Sequence, residues 1–180
     1  MNTPMSYAEL HILLADAQRH HRGALLAGAN LDGLVLRGIN LHGASLQGAH
    51  LAHANLRDAC LSDAMLQYAD LHGANMVGAD LQRANLHTTN LSAADLHEAN
   101  LQAAQIGDAT LTHTDLRGAA MRDTYLGIPG IDAVDLSTAR RSHGMMAALR
   151  ERLWRLAGIT RRRRLRPATT PVGSPRTRAT

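Results

Sequence analysis

Leucine recurs every fifth residue from Leu26 to Leu126, and this beat organises the chain. Of those 21 positions 18 are Leu, two are Met (Met76, Met121) and one is Ile106. The residue two before is Ala in 16 cases, the exceptions being Leu34, Ile39, Thr89, Thr114 and Thr124. The residue one before is Asn or Asp in 11, among them Asn30, Asn55, Asp70, Asp80, Asn85, Asp95 and Asp115. A period of five suits neither regular element. At about 100° per residue the leucines would wind around a helix, and at about 180° they would alternate between the two faces of a strand. The chain must therefore turn once per unit. Ala and Leu, two apart, share a face as in a strand, so a short extended piece followed by a corner aims both inward. Gly two after the Leu (Gly28, Gly33, Gly38, Gly43, Gly48, Gly73, Gly78, Gly118) and the Asn or Asp beside it are turn formers.

The Ala-(Asn/Asp)-Leu-x-x units, unbroken from Ala24 to Leu126, resemble the pentapeptide-repeat family. The resemblance implies an all-β solenoid: a right-handed quadrilateral β-helix with four units per coil, about five coils, and residues 20 apart stacked. Its core positions are exemplified by Leu46, Leu66, Leu86, Ala69 and Ala79. Beyond Leu126 the frame continues irregularly through Ile131 and Leu136, with Pro129 and Val134 in place of Ala.

A stacked coil needs covered ends. Ser6-Tyr7-Ala8-Glu9 fits a capping box, and Tyr7, Leu10, Leu14 and Ala17 follow at helical spacing, which predicts an amphipathic helix from 7 to about 20 over the first coil. Met146, Leu149, Leu153 and Leu156 fall at 3, 4, 3 spacing, with Arg150, Arg152 and Arg155 on other faces, so about 143–157 reads as a second helix ended by Gly158. That helix serves either as a two-fold dimer interface, with Trp154 beside the apolar row, or as a lid on its own last coil. The segments are thus an N-terminal capping helix (1–21), the repeat body (22–136), a C-terminal amphipathic helix (137–158) and a tail (159–180) too poor in apolar residues to fold alone.

Composition changes the picture in two ways. First, Phe is absent, Trp occurs once and Tyr three times in 180 residues, so Ala and Leu carry the burial. One Cys excludes a disulfide scaffold, and no run of about 20 apolar residues offers a membrane span. Met1 to Ala8 has no basic residue and shows no signal peptide, so the expected location is the cytoplasm. Second, the formal charge of +4 is divided along the chain: −1 over 1–21, −6 over 22–136 and +11 over 137–180. The rod is acidic. The tail, with Arg161, Arg162, Arg163, Arg164 and Arg166, is strongly basic.

Some members of the family imitate duplex DNA and bind bacterial type II topoisomerases, so the resemblance implies gyrase as a partner alternative. A 25 Å length of B-DNA carries roughly 15 phosphate charges, however, more than twice the rod's net charge. The expected function is a non-catalytic rod binding a macromolecular partner. The alternatives are the DNA-mimicking topoisomerase binder, giving drug or toxin protection, and a rod whose Arg tail engages nucleic acid or an anionic membrane. No nucleophile, carboxylate pair or phosphate loop argues for an enzyme, and no cofactor or small-molecule substrate is implied. Among outward positions Arg37, Arg57, Val77, His97 and Arg117, each 20 apart, should stack, with Asp58 and Glu98 placed to neutralise them. His50, His53 and His72 fall on neighbouring coils, but no Cys or carboxylate completes a metal set. Cys60 is expected to be a partly exposed thiol.

Overall fold

The computed structural model describes residues 3–125. The irregular frame through Leu136, the C-terminal helix with Met146, Leu149, Leu153, Trp154 and Leu156, and the Arg161–Arg166 run lie outside the described residues.

The body is a β-helix-like solenoid. Parallel pairings join residues 20 apart, from Leu25 with Ser45 to Gln105 with Tyr125, so four five-residue units make one coil. Each pairing is closed by two backbone bonds: Leu26 N–H donates to the Ser45 carbonyl (2.8 Å) and Ser45 N–H to the Ala24 carbonyl (2.9 Å). At about 4.8 Å per coil, the five coil steps from Leu25 to Tyr125 span roughly 24 Å. The leucine column and its Met and Ile substitutes are buried throughout. Leu46, Leu66 and Leu86 are fully enclosed, and Ala69 and Ala79 face them across a narrow interior.

Each corner is a tight turn in which the Ala N–H donates back to the carbonyl of the preceding Leu, as Ala29 does to Leu26 (3.1 Å). The second corner residue has positive φ at all 20 corners, which identifies turns of type II character. Eight of these residues are Gly and twelve are not. Four of the twelve are Asp, which tolerates the left-handed region. Thr88, at φ 58°, is β-branched and pays a strain for its place in the series. A different constraint acts at Gly23, where a Cβ would stand 1.8 Å from the Gly43 carbonyl oxygen of the next coil.

The repeated Asn and Asp complete the backbone accounting. Within a unit four N–H groups bond to backbone, three across coils and one within the corner, and the N–H just after the Leu has no backbone acceptor. All eleven Asn and Asp residues preceding an inward residue accept that N–H through Oδ1, at 3.0–3.2 Å. The five departures from Ala have local causes. Thr89, Thr114 and Thr124 are buried, and each donates its hydroxyl to a leucine carbonyl of the coil below, Leu66, Leu91 and Leu101, at 2.6–2.8 Å. Leu34 and Ile39 occur in the first coil, where they join Leu13 and Leu14 in a partly buried fringe of the core.

Helix α1, Tyr7–Arg19, closes the lower end. Ser6 caps it: Glu9 N–H donates to Ser6 Oγ (3.3 Å) and Ser6 N–H to Glu9 Oε2 (2.8 Å). These bonds hold the Glu9 carboxyl below its ordinary value. Leu10 and Ala17 are buried against the coil. Two edge groups of the first coil are satisfied from this segment, since Met5 N–H donates to the Asn30 carbonyl (2.7 Å) and Val35 N–H to the Tyr7 hydroxyl (2.9 Å).

Two stability tests follow from the interior and the corners. Ala69→Phe or Ala79→Phe forces an aromatic ring into a coil built for a methyl group and is expected to cost about 1–3 kcal/mol or more, read as a lowered thermal midpoint. Thr88→Gly removes left-handed strain at the cost of backbone entropy and is expected to stabilise by about 1 kcal/mol; an unchanged or lowered midpoint contradicts the strain assignment.

Candidate functional site

An interior filled at every coil leaves chemistry to the outside, which consists of four columns of strand residues separated by four rows of corners. Face 1 carries Leu25, Ser45, Met65, Asn85, Gln105 and Tyr125; face 2 Asn30, His50, Asp70, Asn90 and Thr110; face 3 Val35, Asn55, Asn75, Asp95 and Asp115; face 4 Asn40, Cys60, Asp80, Asn100 and Ala120. Charge is sorted by this geometry. All five Arg residues of the coils stand at corners, whereas the strand positions carry only Asp: Asp70, Asp80, Asp95 and Asp115.

The corner arginines are neutralised locally. Arg83 holds Asp63 with two bonds, Nε to Oδ1 at 2.7 Å and Nη2 to Oδ2 at 2.6 Å, which lowers the Asp63 carboxyl and raises the guanidinium. Arg37 and Arg57 share Asp58 at 3.3 and 3.5 Å, and Arg122 pairs with Asp123 at 3.4 Å. Arg117 turns back to Asp115, donating from Nε at 2.9 Å and from its backbone N–H at 3.0 Å. The side-chain bond and then the backbone bond hold the Asp115 carboxyl at about 2, against an ordinary 3.8. Asp70, Asp80 and Asp95 form no ion pair with an arginine among the described residues, although Asp80 stands near enough to Arg83 to help raise its guanidinium. Each accepts its corner N–H, and Asp70 and Asp80 also accept Nδ2 of Asn90 and Asn100 from the coil above, both at 2.9 Å.

The row Arg37, Arg57, Val77, His97, Arg117 occupies the corner between faces 3 and 4, as its 20-residue spacing requires. Asp58 serves its lower half and Glu98 lies 3.9 Å from His97, but Arg117 is neutralised by Asp115, a partner that stacking by 20 does not reveal. His53 and His72 come together edge to face with ring centroids 5.2 Å apart, and His72 Nδ1 lies 3.0 Å from Ser92 Oγ. The His53 ring occupies the space a Cβ on Gly73 would need, at 2.6 Å. His50 is on face 2, exposed, and is not part of that ring contact. Among the described residues no group of three or more His, Cys, Asp and Glu is placed to hold a metal ion, and no helix is long and apolar enough to cross a membrane. Cys60 is half-buried on face 4, with Sγ 3.4 Å from Ser62 Oγ.

Face 1 differs from the other three because no strand position on it is charged. Its apolar members are exposed, Leu25 at 58% and Tyr125 at 65%, and Met65 is partly so. Tyr68, on the corner beside Met65, is 71% exposed. This neutrality was readable in the sequence by writing it in rows of 20.

A family profile described as pentapeptide repeats matches the chain in eight copies over residues 22–58, 44–83, 54–92 and 89–126. Among solved structures, the chain is similar to a pentapeptide-repeat protein of the Arabidopsis thaliana thylakoid lumen, at 25% identity over 70% of this chain and 77% of that one, with a TM-score of 0.52. It is similar to a pentapeptide-repeat protein of Nostoc PCC 7120 at 25% identity, over 70% of this chain and 98% of that one, with a TM-score of 0.53. The plasmid-mediated fluoroquinolone resistance protein QnrB1 aligns at 16% identity over 73% of this chain and 83% of that one, with a TM-score of only 0.32. No curated protein matches the chain.

The Asp115–Arg117 pair makes a pH test. A carboxyl whose value is depressed by folding adds stability that is present above about pH 3.8 and is lost as the pH falls through about 2. Asp115→Asn keeps the Oδ1 acceptor for the corner N–H but removes the charge. The variant should therefore melt lower than the parent at neutral pH, and the gap should close between pH 4 and 2; a gap independent of pH contradicts the assignment.

Proposed function

The chain belongs to the pentapeptide-repeat family, and from that premise we propose that it is a non-catalytic rod that binds a macromolecular partner along its sides, with faces 2–4 meeting a basic surface. Proteins of this family are generally structural or interaction proteins. The observation that carries the reading is the sorting of charge: the flat strand positions hold Asp70, Asp80 and Asp95, outside any arginine ion pair among the described residues, besides the paired Asp115, and no Arg, while the arginines are confined to corners and bound to nearby carboxylates. A partner approaching a flat side meets negative potential from side chains held in place by their turn bonds, which favours fast, salt-sensitive encounter. The right-handed winding and a cytoplasmic setting are parts of the same proposal.

Duplex mimicry toward a topoisomerase is the narrower alternative, and the acidic flat faces are what favours it. The charge density does not. Residues 24–125 hold five Arg against nine Asp and one Glu, net −5, whereas roughly 24 Å of B-DNA carries about 14 phosphate charges, distributed all round the axis. Here one side of four has no charged strand residue. The partner expected is therefore a protein with a local basic patch.

The combined variant Asp70→Asn, Asp80→Asn, Asp95→Asn tests this, because Asn keeps every turn bond and only the charge is lost. Photo-crosslinking from face 3 in an extract of the source cell should give a discrete protein adduct at about 50 mM salt that weakens steeply toward about 500 mM, where exposed charges are screened. The adduct should disappear in the triple variant, and one that survives unchanged contradicts the reading. A gyrase supercoiling assay on the same two proteins decides the alternative: inhibition or drug protection lost in the triple variant identifies a topoisomerase, and inactivity of both removes it.

A further inference from the structure

We infer that face 2 and the corner joining it to face 3 form a proton-operated charge switch, acidic in neutral solution and basic in mildly acidic solution, which releases a basic partner from face 2 on acidification. The release rests on the partner reading above; the change of sign does not.

The coils carry seven histidines, and the structure sorts them into two kinds. His42, His87 and His97 each stand against a carboxylate, Asp63 at 3.7 Å, Asp108 at 3.4 Å and Glu98 at 3.9 Å, so a proton taken up there is held by its own neighbour. His50, His53, His72 and His113 have no ion pair among the described residues. All four lie on face 2 or on the corner between faces 2 and 3. That corner carries no Arg, and its one carboxylate is Asp32, whose Oδ1 is bound by the Ala52 N–H at 2.7 Å. On face 2 His50 stands directly below Asp70 in the ladder, and the backbone N–H of His72 donates to Asp70 Oδ1 at 3.0 Å. Across the corner, face 3 presents Asp95 and Asp115, the second already held by Arg117. Imidazole is the side chain that gains charge between about pH 8 and pH 5. With Asp32 and Asp70 set against four imidazoles, the edge passes from −2 to at most +2.

The coil need not open for this to happen. Asn90 Nδ2 donates to Asp70 at 2.9 Å, which turns Asn90 Oδ1 toward Ser92, and the Ser92 hydroxyl donates to it at 2.6 Å. Ser92 Oγ therefore accepts from His72 Nδ1 at 3.0 Å, which keeps a proton on that nitrogen and leaves Nε2 to take up the second. His53 stands edge to face on the same ring, so charge on either imidazole is felt at one place. His50, His53 and His113 make no side-chain hydrogen bond among the described residues, and charging them breaks none.

The sign of the edge is read from a thiol in the full-length chain. In a Cys60→Ser background Ala52→Cys sits beside His53 with Asp32 below and His72 above, and its reaction rates with a cationic and an anionic methanethiosulfonate are compared at about 20 mM salt, where exposed charges are weakly screened. Their ratio cancels the ionisation of the thiol. From about pH 7.5 to about pH 5.5 the cation-to-anion ratio is expected to fall about tenfold, as a field that changes sign requires. Replacing His50, His53 and His72 by Gln should hold the change within about twofold, and so should moving the thiol to Gln102→Cys, between faces 4 and 1. Replacing His42, His87 and His97 by Gln removes as many imidazoles and should leave the tenfold fall intact. Circular dichroism at both pH values checks that each protein is folded. A ratio that does not fall, or falls equally after the first replacement, or is abolished by the second, overturns the switch. The release is read by photo-crosslinking from Thr110 on face 2: the protein adduct should drop about tenfold at the lower pH and persist there in the His50, His53, His72 variant. An adduct equally strong at both pH values overturns the release. If no adduct forms at the higher pH, the partner reading fails, and the thiol ratio still decides the switch.

Discussion

The fixed width of the interior governs everything else in this molecule. Each coil closes around one layer of leucines and alanines, and the next coil must present the same layer 20 residues later, or the backbone bonds between coils lose register. From Ala24 to Tyr125 the chain therefore accepts no insertion, and substitutions inside are confined to groups that fit. Met76, Met121 and Ile106 keep the leucine volume, and Thr replaces Ala only where its hydroxyl reaches a leucine carbonyl of the coil below. Larger residues at an Ala position, Leu34 and Ile39, occur at the lower end, where α1 rather than another coil is the neighbour. The absence of Phe is the compositional trace of the same limit.

Packing of that regularity overrides local preference at the corners. A left-handed residue is required every five positions, and Gly supplies it in eight of 20. Elsewhere the cooperative stack holds Tyr, Arg, Glu, His and even Thr in a conformation they avoid on their own. Gly falls mostly in the first coils, where five consecutive corners, Gly28 to Gly48, use it, while the middle of the rod, with neighbours above and below, tolerates the strain more often. Local cost and long-range order thus trade against each other along the axis.

Much of this was legible in the chain itself. The period of five, the inward Ala and Leu, the corner glycines and the Ser6 capping box can each be read from single residues and their spacing. What the period does not contain is the number of units per coil, because four-unit and other windings share the same beat. That number came with the family resemblance, and every statement about neighbours on the outside depends on it. Of the three histidines expected to approach on adjacent coils, His53 and His72 meet and His50 does not join them, and Asp58 reaches Arg37 from the coil above as its place beside that row suggests. Stacking by 20 missed Asp115 as the partner of Arg117, because that guanidinium folds back along its own strand instead. Rotamer choice on an exposed surface leaves no trace in a repeat pattern. The role of the Asn and Asp was visible as turn chemistry, but not its completeness. Only the hydrogen-bond accounting shows that one N–H per unit is left over and that these residues take it whenever they are present.

That accounting bears on how the acidic faces arose. For accepting the leftover N–H, Asn and Asp are equivalent, since both offer an Oδ1 at the same reach. Glu and Gln are one methylene too long for the same local bond, and among the acidic residues of the coils Glu appears once, at a corner. The fold therefore specifies a short side chain with an oxygen at these positions and leaves its charge open. Seven of the eleven are Asn; the four that are Asp lie on faces 2, 3 and 4, and none is on face 1, where Asn85 fills the same role without charge. At Asp70 and Asp80 the carboxylate also accepts an amide bond from the coil above, and Asp80 attracts Arg83, whereas at Asp95 the charge adds only repulsion on a rod that is already acidic. For the turn bond itself the two residues are equal, so the charge is free to serve contacts outside the folded chain. A partner that reads charge on three sides, and a fourth side kept neutral, is the kind of pressure that would draw on that freedom.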